Sequence, residues 1–503
     1  MVLATRPFCV HESRQHFERG WNVEEAKILL SELLFRAGLG TFVAQQPEAD
    51  VNGISLDSRT IQRGDLFIGM NGMSFDGTTF LEDARSRGAV AAILARPHQG
   101  GLNFPVVHVP NLDRSSVADI VYAFYGNISK KLRLIGVTGT NGKTTTAQMI
   151  AHILNESGLK CGVIGTLNSE RTTPESPEIF RRLTQELEGG AKYVTMEVSS
   201  IALEQKRVKN LVYFESVFTN LSQDHLDYHH NMSSYFASKA LLFKKGVTTL
   251  GIVNRDSAYG KQLLKNPEID LSAVGRADIE NVSLGVDGSW FDYHGVKFYI
   301  PLIGEHNIYN ALCAIHVASS VGLSLAKIQS ALAKFPGVQG RLQKVVSNLG
   351  PRVYVDYAHS PDALLQVIVA VRKTMAPGQK LFVVFGAGGN RDRTKRAQMG
   401  YIAATNADAL IITNDNPRFE DPIAIAESIT DGVCEADANT SFEVIYDRRI
   451  AIFKAINDAE EGHVVLIAGK GHETYQTVGN TTIYFSDVEV AQEALNRYAG
   501  RVQ

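Results

Sequence analysis

Between Leu134 and Thr146 the chain reads LIGVTGTNGKTTT, a glycine-rich turn that runs into a lysine and three threonines. Those residue types at that spacing suit a phosphate. Gly139 and Gly142 let backbone N–H groups approach an anion, Lys143 brings a positive charge to the terminal phosphates, and the Thr144 hydroxyl can hold Mg²⁺. The general pattern G-x-x-x-x-G-K-[ST] is missed only at its first position, where Val137 stands in place of glycine. Further groups follow downstream: Glu197 in TMEVSS, His225 in FTNLSQDHLDYH and Lys239 in SSYFASKALLFKKG. Taken singly, each has an ordinary structural reading, Lys239 as a solvated or snorkelling side chain on a helix. In this order after a phosphate loop Glu197 and His225 become candidates for phosphoryl chemistry with a bound metal.

These groups need a strand, a tight turn and a helix to hold them. Leu132, Leu134, Ile135 and Val137 make a buried-strand pattern ahead of the loop, and AQMIAHILNESG after it places Ile150, Ile153 and Leu154 on one helical face, with Gly158 as a stop. On the amino-terminal side, residues 22–110 read as a short α/β unit. It has a helix in VEEAKILLSELLFRAGL, a strand in DLFIGM, and a helix leading to a strand in TTFLEDARSRGAVAAILA. On the carboxyl side, Pro336, Gly337 and Gly340 mark a linker, after which RVYVDYAH, KLFVVFGAG, ALIITNDNP and HVVLIAGKG are apolar runs ending in small or polar residues. Alternating β and α segments predict parallel sheets whose sites lie at the carboxyl ends of strands. The expected units are 1–112, 113–338 and 339–503.

Composition narrows the function. A chain of 503 residues, 44% hydrophobic and 20% charged, suits several folded domains. With 50 Lys+Arg against 53 Asp+Glu, no large single-sign field favours nucleic acid or an anionic membrane as the main partner. Cys9, Cys161, Cys313 and Cys434 lack metal-ligand spacing and are expected to be buried thiols in a reducing compartment. No stretch reaches the roughly 18 apolar residues of a membrane span, and the amino terminus lacks a signal-peptide apolar run, so a cytoplasmic location is expected.

The string GTNGKTT resembles the phosphate loop of the Mur ligases and their folylpolyglutamate synthetase and cyanophycin synthetase relatives. Those enzymes form an amide bond by activating a carboxylate as an acyl phosphate. The resemblance implies a three-domain α/β architecture: a uridine-nucleotide-binding domain, a central P-loop ATPase-like domain and a Rossmann-like carboxyl-terminal domain. It implies ATP and Mg²⁺ as cofactors, with metal held by Thr144, Glu197, His225 and a CO₂-derived carbamate on Lys239. For ATP it implies contacts from Gly139, Thr140, Asn141, Gly142, Lys143, Thr144 and Thr145, and from Asn307, Asn310 and Arg341; the plain reading of Asn307 is a cap on a helix start.

The strings GRLQKV, VDYAHSPDAL, FGAGGNRDRTKRAQMG, NDNPRFEDP and AGKGHETYQ are together similar to one branch of that family. This branch adds the third residue to UDP-N-acetylmuramoyl-L-alanyl-D-glutamate in peptidoglycan synthesis. GAGGNR is not read as a dinucleotide site, because Arg391 replaces the third glycine of G-x-G-x-x-G. The resemblance assigns Arg391, Asp415, Asn416, Pro417, Arg418, Gly469 and Glu473 to the incoming amino acid. Arg418 in DNPR is the version that accompanies meso-diaminopimelate, whose extra carboxylate a guanidinium can grip bidentately and whose counterpart in lysine is only an ammonium. Leu56, Ser58, Met73, Ser74 and Phe75 are implied for the uridine end of the acceptor; Thr172, Thr173, Ser199, Gln205 and Arg207 for its peptide end. Two positions depart from the family pattern: Arg171 where Asn is usual, and Ile201 where His is usual. They leave the carboxylate acceptor open; the alternative readings are a Mur-like ligase on a different acceptor or amine, L-lysine or a secondary-metabolite peptide, or a non-catalytic binding relative. The chain is expected to act on small molecules as a monomer.

Overall fold

The computed structural model describes residues 27–42, 48–72, 76–98, 104–265, 267–347 and 349–502. Met73, Ser74, Phe75 and Cys9 lie outside them. The first unit carries a four-stranded parallel sheet in chain order, Gly53–Ser55, Asp65–Gly69, Ala91–Leu94 and Val106–His108. The helix expected to start near residue 22 instead begins at Leu30. Ile28–Leu29 ahead of it is extended and pairs antiparallel with Asp50–Val51, so cross-strand bonding overrides helical periodicity there.

The central unit is a six-stranded parallel sheet. Its order is Asp270–Val274, Thr248–Asn254, Tyr213–Phe218, Arg133–Thr138, Tyr193–Glu197 and Cys161–Ile164. The phosphate-loop strand is thus interior, between the strand that delivers Glu197 and the strand that leads to His225. Helix Lys143–Glu156 leaves the loop with Ile150, Ile153 and Leu154 fully buried, and packs against helix Glu305–Ser320. Each such buried aliphatic side chain contributes about 1.5–3 kcal/mol over exposure. An antiparallel meander, Ile279–Leu284, Ser289–Tyr293 and Val296–Ile300, follows the sheet and buries Phe291 and Phe298.

The third unit has six strands in the order Gln343–Val345, Arg352–Asp356, Val464–Ala468, Leu381–Phe385, Ala409–Ile412 and Ser441–Val444, parallel except for the first. Separate apolar clusters cover its two faces. The first and central units share one continuous core, in which Leu30, Ile120, Phe180 and Phe218 all take part. Arg181 of the central unit adds a polar tie, donating to the buried Asp65 carboxylate at 3.0 Å and to the Ile54 carbonyl at 3.1 Å. Cys161 and Cys313 are buried as expected, whereas Cys434 is exposed near the end of helix Pro422–Glu435, on its solvent side.

Candidate active site

A cleft of about 190 Å³ opens where the carboxyl ends of the central strands meet the third unit. Its floor is the phosphate loop. Gly139 and Gly142 both have positive φ, 152° and 86°, and a side chain on either would collide with Thr219 Oγ1 or Asn310 Oδ1. Glycine is required there by conformation and by space. Lys143 arches back over the loop and donates to the carbonyls of Gly139 (2.9 Å) and Thr140 (2.8 Å). Burial draws its ammonium below the ordinary lysine value, while Glu197 opposes that shift. Thr140 donates to the Ser222 carbonyl, and Thr145 is buried in the first turn of the helix.

Glu197, 1% exposed, ends its strand against the loop. Its Oε2 accepts from Thr144 Oγ1 at 2.9 Å, and Thr166, absent from the sequence reading, donates its N–H to Oε1 at 2.8 Å and its hydroxyl to Oε2 at 3.1 Å. Arg341, reaching over from the linker, donates to the same Thr144 hydroxyl at 3.1 Å and stacks on Tyr357. Hard oxygen donors at Thr144 and Glu197, beside a phosphate loop, match the preference of Mg²⁺. His225 occupies a left-handed backbone position, φ 53°, and its side chain keeps 47% of its surface exposed. Partial burial lowers its pKa, Asp224 resists that, and the nearby Lys143, His359 and Lys239 add to it. Asp224 was also missed. Burial acts to raise its carboxyl, but His225, His359 and Lys395 together bring it to about 2.

Lys239 lies in helix Met232–Ala240, 1% exposed, so the solvated reading of this side chain is wrong. Its Nζ donates to the Gly139 carbonyl at 2.8 Å from beneath the loop and sits over the Tyr235 ring. Burial first, then the Lys143 charge, pull its amine well below the ordinary lysine value. Asn307 and Asn310 are buried in the first turns of helix Glu305–Ser320, which Gly304 begins; Asn307 is inside the helix and donates to the Ile303 carbonyl, so it is not the cap. Asn310 Nδ2 donates to Asn307 Oδ1 at 3.1 Å. Asn141 spans the cleft to the third unit, donating to Asp362 Oδ2 at 2.9 Å.

The residues expected at the peptide end of the acceptor form one network. Thr173 Oγ1 donates to the Glu197 carbonyl at 2.8 Å and accepts from Ser199 N at 2.9 Å. Arg207 donates to the Thr173 carbonyl at 3.0 Å and to Gln205 Oε1. Thr172 Oγ1 lies within hydrogen-bond distance of Thr166 Oγ1, at 3.2 Å. Ile201 is half-buried in the short helix Ser200–Glu204. Leu56 is half-buried and Ser58 buried at the edge of the first sheet, where the Asp57 side chain accepts from Arg59 N and caps the turn.

In the third unit the DNPR segment follows strand Ala409–Ile412. Asn416 is clamped: its Nδ2 donates to Glu473 Oε2 at 2.9 Å, and its Oδ1 accepts from Lys470 Nζ at 3.2 Å and Thr477 N at 3.0 Å. Lys470, fully buried and unforeseen, also pairs with Glu473 Oε2 at 3.0 Å. Arg418 has φ 53° and donates to the Gly389 carbonyl at 2.9 Å, so its guanidinium faces the GAGGNR turn. Pro417 is buried within the DNPR segment. Arg391 is exposed at the turn's end, and a side chain on Gly469 would meet Asp415 Oδ2. Underneath, the buried Arg448–Asp487 pair sends Nη2 to the Ala468 carbonyl and Nη1 to the Asn414 carbonyl, which fixes the two strand ends from which Asp415 and Gly469 project.

Three family models match the chain: Mur ligase family, catalytic domain, over residues 50–125; Mur ligase middle domain over 137–318; and Mur ligase, glutamate ligase domain, over 340–471. Proteins named UDP-N-acetylmuramoyl-L-alanyl-D-glutamate–2,6-diaminopimelate ligase are similar throughout. The one from Nostoc sp. (strain PCC 7120) is 42% identical over 475 residues, 89% of this chain and 95% of that protein; the one from Aquifex aeolicus is 42% identical over 464 residues, 88% and 94%. A solved structure of a protein with the same name is 31% identical, with TM-score 0.61, covering 94% of this chain and 99% of that one. A MurF ligase from Thermotoga maritima in complex with ADP, 16% identical with TM-score 0.66, shares the fold.

Proposed function

The chain belongs to the Mur ligase family, and from that premise we propose that it joins 2,6-diaminopimelate to UDP-N-acetylmuramoyl-L-alanyl-D-glutamate at the expense of ATP. The observation that carries this reading is the meeting of the phosphate loop and the third unit in one cleft. Lys143, Thr144 and Glu197 line it from the central unit, and Arg341, Tyr357 and His359 line it from the other side; Tyr357 packs on His472, next in the chain to Glu473, which holds Asn416 of the DNPR segment. ATP is held by the loop amides and Lys143, with Asn307 and Asn310 on the nucleoside side. Thr144 and Glu197 would hold Mg²⁺, which when bound would neutralise phosphate charge. His225 turns its ring into the same cleft.

The acceptor carboxylate attacks the γ-phosphorus, forming a carboxyl–phosphate bond as the β,γ bond breaks and ADP leaves. The diaminopimelate amine then attacks the carbonyl carbon, and phosphate departs with the carboxylate's oxygen. Lys143 follows the charge as it shifts toward the leaving oxygens, and the cleft supplies positioning, which together account for most of the acceleration. The amine must arrive neutral; Glu473 lies where it can hold the substrate's ammonium end, and the meso isomer sets one carboxylate toward Arg418. An acceptor labelled with ¹⁸O in its reacting carboxylate tests the sequence of bonds. One ¹⁸O is expected in the released phosphate, and unlabelled phosphate would rule the acyl phosphate out.

Lys239 is carbamylated in the working enzyme. Its burial favours the neutral amine that reacts with CO₂, and the carbamate would turn a buried cation into an oxygen ligand for a second Mg²⁺. The carbamate nitrogen keeps one hydrogen, which can still go to the Gly139 carbonyl. Intact-mass analysis is expected to show the carbamate, and activity is expected to fall in CO₂-depleted buffer and return with bicarbonate. Full activity in an unmodified, CO₂-depleted protein would contradict it.

A further inference from the structure

Around Glu175, three guanidinium groups share one carboxylate. Arg171 Nη1 donates to Oε1 at 2.5 Å, Arg114 reaches both oxygens at 3.0 and 3.2 Å, and Arg207 Nε lies 3.3 Å from Oε1. Burial acts to raise the Glu175 carboxyl, but the arginines more than offset it and hold it below the usual carboxylate range. One negative charge against three positive ones leaves a local excess of two. Arg207 is 10% exposed and pinned by Gln205 and the Thr173 carbonyl, and Arg114 is 35% exposed. Arg171 is 55% exposed, on the side open to solvent.

Its position matters as much as its charge. Arg171 directly precedes Thr172, whose hydroxyl is tied through Thr166 to Glu197 at the phosphoryl site. In the other direction its charge reaches the first unit: Asp57 is held below the usual carboxylate range chiefly by its hydrogen bond from Arg59, with a further contribution from Arg171. Asp57 lies between Leu56 and Ser58. Arg171 therefore adjoins the residues assigned to the peptide end and lies within electrostatic reach of the uridine segment. The acceptor must cover the same path, and its diphosphate comes next after the nucleoside.

We propose that Arg171 is a specificity-determining residue of the acceptor site, whose guanidinium leaves Glu175 to take the diphosphate of the UDP-linked acceptor. The proposal rests on the acceptor assigned above. The Arg171 end of the pair is exposed to solvent, and Glu175 keeps Arg114 and Arg207 when Arg171 turns away. A planar guanidinium can meet two phosphate oxygens at once. The non-reacting carboxylate of the glutamyl residue is the competing anion, but Arg207, already fixed beside Thr173, is the better placed for it.

The test compares two acceptors, UDP-N-acetylmuramoyl-L-alanyl-D-glutamate and the methyl glycoside of N-acetylmuramoyl-L-alanyl-D-glutamate, which lacks the nucleoside diphosphate. Arg171→Asn is expected to raise KM for the UDP-linked acceptor by about tenfold while kcat changes less than about threefold, and to leave kcat/KM for the glycoside unchanged. Arg171→Lys should fall between. An equal loss on both acceptors would assign Arg171 to the carboxylate or to folding, and an unchanged KM for the UDP-linked acceptor would remove it from the site; either overturns the proposal. If the wild-type protein binds ATP yet turns over neither acceptor, the acceptor assignment itself falls and takes the proposal with it. Wild-type turnover with an insensitive Arg171→Asn variant sinks the proposal alone.

Discussion

Replacing Lys143 with alanine is expected to cut the rate of phosphate release by at least about a thousandfold, which is about 4 kcal/mol of transition-state stabilisation. Charge moves along the β,γ-bridging and γ-phosphate oxygens during transfer, and Lys143 is the cation whose backbone neighbours already form the loop. The loop itself should survive. Gly139 and Gly142 set its path, Thr219 Oγ1 bonds the Asn141 carbonyl, and Asn220 Oδ1 accepts from Asn141 N, none of which uses the lysine. The variant should therefore keep its thermal midpoint, and Lys143→Arg should rescue little, because a planar fork cannot take the compact ammonium's place over two carbonyls. A Lys143→Ala protein with the wild-type kcat would remove phosphoryl transfer from this loop.

Arg418→Ala should be the most selective change in the third unit. Two charge-assisted bonds to the distal carboxylate of diaminopimelate are worth roughly 3 kcal/mol together, so kcat/KM for that amine is expected to fall about a hundredfold or more. L-Lysine has no such carboxylate, and its use should be unchanged or improved, since the arginine repels its ammonium. Arg418 also donates to the Gly389 carbonyl, so part of any loss could come from a loosened turn. The two amines separate these effects. Loss of order in the turn would depress both, whereas loss of carboxylate recognition depresses only diaminopimelate. Equal losses, measured by steady-state kinetics with each amine, would refute the recognition role.

Much of the central site could be read from the chain because its signals are local. The phosphate loop needs a strand, glycines and a helix in immediate succession, and that succession fixes Gly139, Gly142, Lys143 and Thr144 within a few residues. Glu197 was legible as the end of an apolar run, and the parallel order of the strands then brings it to Thr144 at 2.9 Å. Other partners are set by contacts across tens or hundreds of residues. Thr166 completes Glu197, Asp362 answers Asn141 from the third unit, and Lys470 braces Asn416; their local strings give no reason to choose them. Lys239 is a different case. Its local string alone suggested solvent and only the family resemblance placed it in the site; its burial under the loop depends on packing between Tyr235, Leu242 and Phe243 and the neighbouring strands. The strand at Ile28–Leu29 was hidden for the same reason, since its partner at Asp50–Val51 is distant in sequence.

The central claim is amide ligation selective for diaminopimelate on a UDP-linked muramoyl dipeptide. The direct measurement is phosphate release by the purified protein with ATP, Mg²⁺ and UDP-N-acetylmuramoyl-L-alanyl-D-glutamate, with meso-diaminopimelate, with L-lysine and with no amine, the nucleotide product being weighed by mass spectrometry. Release stimulated by meso-diaminopimelate alone, matched by a product heavier by one diaminopimelate residue, is the expected result. Protein that binds ATP but releases no phosphate with either amine would contradict it and turn attention to an acceptor of different chemistry at Arg171 and Ile201.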